Sequence, residues 1–127
     1  MNATEHLAIL DRFFAAIQAG DIETVKATYH PDAEIWHNTD EQIQGPEDNR
    51  KTLAGMVTRI LDRVYDNRRV EVFAGGFVQQ HILRGTRSHD GVRVALPACI
   101  VFTFDETGRI TRLEEYLDSA QVAVISS

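Results

Sequence analysis

Cysteine, clustered basic residues and long apolar runs are scarce in this sequence, and each scarcity excludes a class of protein. The single cysteine, Cys99, excludes an internal disulfide and so favours a reducing cytoplasm. No apolar run approaches the roughly 18 residues that a membrane-spanning helix needs, and residues 1–14 lack the basic start and apolar core of a secretory signal. The formal net charge of −6 argues against nucleic acid as a partner, because phosphate binding requires clustered Lys and Arg.

The remaining composition is that of a globular domain. The 127 residues are 43% hydrophobic and 25% charged, values close to the globular average. A chain of this length buries one core, so we expect a single domain over residues 1–127 without membrane contact.

The first third of the chain predicts two helices. Asn2 with Glu5 three residues later resembles a capping box, although Thr4 is an equally good cap. Gly20 suits the end of the first helix, and Asp21 the cap of a short second helix that reaches Tyr29. The apolar stripe of the first helix is Leu7, Leu10, Phe14 and Ile17.

The middle of the chain predicts a third helix, and the rest predicts a sheet. The third helix is expected from Pro46 to about Tyr65, with an apolar stripe of Leu53, Met56, Val57, Ile60, Leu61 and Val64. Beyond it the period becomes that of strands, with turn signals between them. The expected strands are 33–38, 70–73, 77–87, 92–104 and 109–118. Residues 119–127 either extend the sheet or cover its mouth.

Three helices followed by successive strands indicate an α+β domain. We expect three N-terminal helices packed into a strongly curved antiparallel sheet that forms a cone, or α+β barrel. An apolar cavity with a few inward polar groups is the usual form of a small-molecule site.

Three stretches carry a resemblance that covers nearly the whole chain: "RFFAAIQAGDIETVKATYHPDAEIWHN", "GPEDNRKTLAGM" and "LPACIVFTFDETGRITRLEEYLD". The chain is similar to SnoaL-like members of the nuclear-transport-factor-2-like superfamily, which includes ketosteroid isomerases and limonene-epoxide hydrolase. This resemblance implies the cone fold. It does not name a reaction, because the fold hosts several.

The positions that carry known activities in these relatives are altered here. The aspartate base of the isomerases corresponds to His37, and their oxyanion tyrosine and aspartate correspond to Phe13 and Ile100, neither of which donates a hydrogen bond. The cyclases resemble the chain in outline but often carry an aspartate near Ile100.

The epoxide hydrolase arrangement is altered in the same way. Its aspartate–arginine–aspartate set falls near His81, Leu83 and Glu115. Classical isomerase and epoxide hydrolase activities are therefore not expected. Scytalone dehydratase, a more distant relation, works with pocket histidines, which fits the polar residues that this chain keeps.

We predict that His37, His81 and Glu115 converge inside the cone as the catalytic set. A histidine exchanges a proton near neutral pH, and a carboxylate within reach fixes its tautomer and stabilises the imidazolium. The alternative is that both histidines are merely buried and satisfied, with Glu115 at the rim.

The register of the first strand decides which side chains enter the cavity. His37 points inward if Ala33 and Ile35 do, whereas a slip of one residue brings in Trp36 instead. The expected pocket lining is Phe13, Ile17, Ile35, Trp36, Met56, Ile60, Leu83, Ala98, Ile100, Phe102, Leu113 and Leu117.

These residues predict a cofactor-independent isomerase, lyase or cyclase that acts on a small, mostly apolar, oxygenated molecule. The alternative is a non-catalytic ligand-binding or dimerisation domain of the same fold. No cofactor is expected, and no metal, since the histidines lack metal-ligand spacing. Trp36, Val101 and Tyr116 on the outer sheet face are the expected homodimer contact.

Overall fold

The computed structural model describes residues 2–126, with side chains described for residues 2–123. Four helices and six strands make up this part of the chain. They are α1 (Ala3–Ala19), α2 (Ile22–Thr28), β1 (Tyr29–His37), β2 (Ile43–Gln44), α3 (Pro46–Arg59), β3 (Ile60–Phe73), β4 (Gly76–Arg87), β5 (Arg93–Phe104), β6 (Ile110–Leu117) and α4 (Ser119–Ser126).

The strands form one curled sheet in the order β2-β1-β6-β5-β4-β3, and α1 packs into its concave side. The predicted α+β cone is thereby confirmed. Two details differ from the expectation: the sheet stays open between β2 and β3, and β1 pairs with β6 in parallel. Strand β1 lies between β2, with which it pairs antiparallel, and the last strand, β6, with which it runs parallel.

The predicted N-terminal caps of the first two helices and the predicted end of the first helix are confirmed. The backbone N–H of Glu5 donates to the Asn2 side chain at 2.9 Å, and Gly20 adopts a left-handed φ of 76° at the end of α1. Asp21 accepts from the backbone N–H of Thr24 at 3.2 Å. Tyr29, expected at the end of α2, instead begins β1 and is buried.

The third helix is shorter than predicted, and the strand that follows is longer. Helix α3 ends at Arg59, and β3 begins at Ile60, ten residues before the expected 70–73 strand. Leu61 and Val64, expected in the buried stripe, are 45% and 48% exposed. Apolar residues at 60, 61 and 64 fit a helix period, but pairing of β3 along almost all of β4 decides the conformation.

Strand β3 bends around the cone through two irregularities. Its pairing with β4 shifts between Leu61 and Val64 and again between Asp66 and Arg69. Asp62 and Asn67 have φ values of 53° and 54° at these places, as expected for bulges that twist an edge strand.

Arg63, in the first bulge, binds the ends of two helices. Its guanidinium donates to the carbonyl oxygens of Ile17 and Gln18 at 3.0 Å each, in the last turn of α1. It also donates to the Val57 and Ile60 oxygens at 2.9 and 2.6 Å, where α3 ends. Carbonyls at helix C-termini lack intrahelical partners and favour a cation. Arg63 therefore joins α1 and α3 to β3.

The C-terminal segment is a helix and not a further strand. Helix α4 spans Ser119–Ser126, and Val122 lies against the cavity, so the segment covers part of the mouth. Among residues 2–126 no helix combines the length and apolar character required to cross a bilayer.

Candidate active site

A cavity of about 240 Å³ lies between α1, α3 and the concave side of the sheet. This is about eight times the volume that one water molecule occupies in the liquid. Exposed Thr39, Asp40, Thr52 and Arg59 mark its mouth. The inner wall is apolar and includes Phe13, Phe14, Ile17, Ile35, Leu53, Met56, Leu83, Leu96, Ala98, Ile100, Leu113 and Leu117.

His37 and Glu115 meet inside this cavity as partners across two strands. They are directly opposite in the parallel β1–β6 register, and His37 Nε2 lies 3.2 Å from Glu115 Oε1. Both side chains are about four-fifths buried, at 22% and 23% exposure. Asn38 holds this register, because its side chain donates to the Leu117 oxygen at 3.0 Å and accepts from the Leu117 N–H at 2.9 Å.

Trp36 lies on the opposite side of β1, against the outer face of the sheet. Its ring packs edge-on against Tyr116, with the ring centroids 5.3 Å apart. On the same face Arg112 donates to Glu114 at 2.9 Å and to Glu34 at 3.2 Å. The register with His37 inward is therefore the one that the protein adopts, and the slipped alternative is wrong.

The environment of His37 favours its protonated form. Burial by itself lowers the pKa of His37, but the hydrogen bond to Glu115, the charge of Glu115 and the charge of Asp40 outweigh it. The pKa of His37 is therefore raised from its ordinary 6.5. A histidine of raised pKa is a stronger base in its neutral form.

His81 occupies a different environment in the same cavity. It is 4% exposed, and its ring packs edge-on against Tyr65 and Phe14 at centroid distances of 4.9 and 5.6 Å. Burial is the main reason that its pKa lies below 6.5; the Glu115 carboxylate opposes this shift, and the Arg68 cation adds to it. The pKa values of the two histidines are thus shifted in opposite directions. Such an arrangement separates acid and base roles.

A buried tyrosine, Tyr29, and a partly buried one, Tyr65, add hydrogen-bond donors to the cavity. Burial, reinforced by the Glu115 carboxylate, raises the pKa of Tyr29 and of Tyr65 well above the usual range, so both phenols stay protonated. The Tyr29 hydroxyl donates to Asn49 at 3.0 Å, and the Asn49 amide donates to Gln44 at 3.3 Å. Glu115 thus influences Tyr29, Tyr65 and both histidines.

Sequence reasoning missed both tyrosines and Asn49. Tyr65 was assigned to the third helix, and Tyr29 to the second, so neither was considered as an inward strand residue. Pro31 restricts the backbone of His30, so it indicates only that the second helix ends by that residue. No pattern in the sequence pointed to Asn49, which is the one buried residue of α3.

Three residues of the predicted lining lie elsewhere, and the other nine do line the cavity. Trp36 is on the outer face for the reason given above. Ile60 is fully buried in a separate cluster with Leu83, Val94 and Leu96. Phe102 is fully buried in the core, where its ring packs edge-on against those of Phe13 and Phe14. Catalysis by His37, His81 and Glu115 stays a prediction.

Within residues 2–126 no three His, Cys, Asp or Glu side chains are arranged to hold a metal ion. Cys99 is a free, half-buried thiol on β5.

Comparison with known families agrees with this cone fold. A sequence model of the SnoaL-like domain matches residues 10–113, and this chain therefore belongs to the SnoaL-like domain family. No curated protein matches the chain with significance.

Solved structures share the fold at low sequence identity. A proposed isomerase from Bacillus subtilis is 16% identical over 99% of this chain and 96% of its own, with a TM-score of 0.85. A proposed polyketide cyclase from Xanthomonas campestris is 16% identical over the whole of both chains, with a TM-score of 0.84. An LEH-like epoxide hydrolase from M. tuberculosis is 23% identical over 96% of this chain and 89% of its own, with a TM-score of 0.77. The TM-scores establish a shared fold. Identities this low leave the reaction open.

Replacement of Glu115 by glutamine is expected to lower the pKa of His37. The change removes the negative charge of Glu115 and the hydrogen bond that His37 makes to it. Burial then lowers the pKa of His37, and only the charge of Asp40 opposes this effect. The pKa of His37 is higher in the folded protein than in the unfolded one, where it is about 6.5. Protonation of His37 therefore stabilises the fold fully below about pH 6.5, and this stabilisation is lost as pH rises through the folded pKa. The difference in the free energy of unfolding between wild type and Glu115→Gln should therefore become smaller as pH rises from about 6.5 through the folded pKa of His37.

NMR titration of the His37 ring protons measures this pKa directly. Glu114→Gln is the matched control, because Glu114 is adjacent in sequence but bonds to Arg112 and Tyr116 on the outer face. An unchanged His37 titration in Glu115→Gln would contradict the pairing.

Proposed function

We propose that this protein is a cofactor-independent enzyme that moves a proton on a small, mostly apolar, oxygenated molecule bound in the cavity. The reaction is of the isomerase, dehydratase or cyclase type. The observation that carries this proposal is the contact of His37 Nε2 with Glu115 Oε1 at 3.2 Å, in the same apolar cavity as His81, whose pKa burial lowers.

Each polar group has a role that its surroundings support. His37, oriented by Glu115, takes the proton from a carbon beside a carbonyl and returns it elsewhere on the molecule. Glu115 stabilises the imidazolium that forms in between. His81 donates a hydrogen bond to the substrate oxygen, where negative charge develops. The apolar wall holds the carbon skeleton and strengthens these electrostatic interactions by excluding water.

Solvent exchange tests the proposal without knowledge of the natural substrate. Purified protein is incubated in D₂O with a panel of small cyclic ketones and enones, and deuterium incorporation beside the carbonyl is followed by proton NMR. We expect incorporation above the buffer rate for at least one compound. Native mass spectrometry of the same preparation identifies any co-purifying ligand. A ligand that binds the cavity and undergoes no proton exchange or conversion would instead identify a non-catalytic binding protein.

We also propose that two copies associate through the outer sheet face. Trp36 packs on Tyr116 there, and Tyr116 is 43% exposed although it is aromatic. Tryptophan and tyrosine are favoured in interfaces. Sedimentation at micromolar concentration should show a dimer, and Tyr116→Glu should shift it to the monomer. A wild-type protein that remains monomeric under these conditions would contradict the proposal.

The free thiol of Cys99 supports a reducing compartment, and we place the protein in the cytoplasm. Cell fractionation with an antibody against the protein would test this assignment, and recovery from an oxidising compartment would reject it.

A further inference from the structure

A chain of polar contacts reaches His81 from behind the cavity wall. Gln79, two residues earlier on the same face of β4, is fully buried, and its Nε2 lies 2.8 Å from His81 Nδ1. The other amide atom, Gln79 Oε1, accepts from Arg68 Nε at 3.1 Å. Arg68 in turn donates to Asp11 at 2.9 Å and lies 5.2 Å from the centre of the Phe14 ring. The chain of contacts therefore joins α1, β3 and β4.

This order of contacts leaves one arrangement of hydrogens. A guanidinium has donors only, so the amide atom that faces Arg68 must be the oxygen of Gln79. The amide nitrogen then faces His81, and it also has donors only. His81 Nδ1 must consequently be the unprotonated acceptor, which places the ring hydrogen on Nε2. Protonation of Nδ1 would set two donors against each other at 2.8 Å.

We propose that Arg68 and Gln79 are positioning residues that hold His81 as a neutral imidazole with its hydrogen on Nε2. The consequence for ligand choice rests on the proposed function. The Nε2–H donor of His81 selects ligands that present an acceptor oxygen, such as a carbonyl, to it. It leaves His37 with Glu115 as the proton-accepting side of the cavity. One fold thus presents two histidines with different fixed roles.

The charged and titratable groups around His81 agree with this assignment. From β3 it faces Arg68 and the protonated phenol of Tyr65, and from β6 it is influenced by the Glu115 carboxylate. Asp11 of α1 binds Arg68 on its solvent side. Glu115 is the one group that favours a cationic His81, and burial together with Arg68 opposes it.

Nitrogen-edited NMR of the ligand-free protein reports the tautomer without any substrate. At neutral pH we expect His81 Nδ1 to resonate as an unprotonated nitrogen and Nε2 as a protonated one. Gln79→Glu replaces the donor by an acceptor of the same shape, and should change the tautomer ratio by about tenfold or more toward protonated Nδ1. The same variant should raise the pH at which His81 takes up a second proton.

Gln80→Glu is the matched control, because Gln80 is the next residue on β4 and points to the exposed face. It should leave the His81 signals as in wild type. If Gln79→Glu does not fold, Arg68→Met is the second variant; it frees the amide to rotate and should give a mixture of tautomers. A wild-type His81 with protonated Nδ1 overturns the proposal by itself. Loss of the proposed enzyme activity alone would not, because the tautomer is measured without turnover.

Discussion

Replacement of His37 by glutamine is expected to lower proton-exchange turnover by about 10²- to 10⁴-fold, the usual contribution of a general acid–base group. Glutamine keeps a polar side chain of similar length but cannot exchange a proton. The melting temperature should change little, because His37 is partly exposed and its main partner is a single carboxylate. Turnover in the solvent-exchange assay, with circular dichroism of the same samples, separates lost chemistry from lost folding.

The control for this variant lies on the same strand. His30→Gln makes the same chemical change at a residue outside the cavity lining and should retain wild-type turnover. Glu115→Gln should also lose activity, since it orients and stabilises His37. Because His37 and Glu115 act as a unit, turnover of the double variant should be no lower than that of the less active single variant. Full activity in His37→Gln would sink the catalytic assignment.

Replacement of Arg63 by methionine is expected to lower the free energy of unfolding by about 2 to 4 kcal/mol. The variant keeps an apolar stem but loses four hydrogen bonds to carbonyls at the ends of α1 and α3. For a chain of this size the loss corresponds to a fall in melting temperature of about 10 °C. Urea denaturation followed by fluorescence of Trp36 measures the free energy.

Two further variants give this prediction its specificity. Arg63→Lys keeps the charge but cannot reach four acceptors with one ammonium group, so it should recover only part of the loss. Arg69→Met removes an arginine of β3 that is 72% exposed and has one ion pair, with Glu71, and should cost less than about 0.5 kcal/mol. Equal stability of the Arg63→Met and Arg69→Met proteins would mean that Arg63 does not join the helices to the sheet.

Local patterns predicted most of the fold because their causes are local. The Asn2 and Asp21 caps, the left-handed Gly20 and the turns of the later strands each depend on residues a few positions apart. One exception is 60–65, where the spacing of the apolar residues fits a helix. There the conformation depends on pairing with β4, a contact between residues about 20 to 30 positions apart.

For the site, the sequence determined which groups are available, and the tertiary structure decided which of them meet. Strand parity placed Ile35 with His37, and Gln79 with His81, on common faces. Only the parallel pairing of β1 with β6 brings His37 opposite Glu115, because those residues are 78 positions apart and no local pattern specifies the register between their strands. The same holds for Arg68, which only the fold directs to Gln79 behind His81. The sequence by itself therefore determines the residue types and the local geometry. The partners of buried charges are determined by packing between strands that are distant in the sequence.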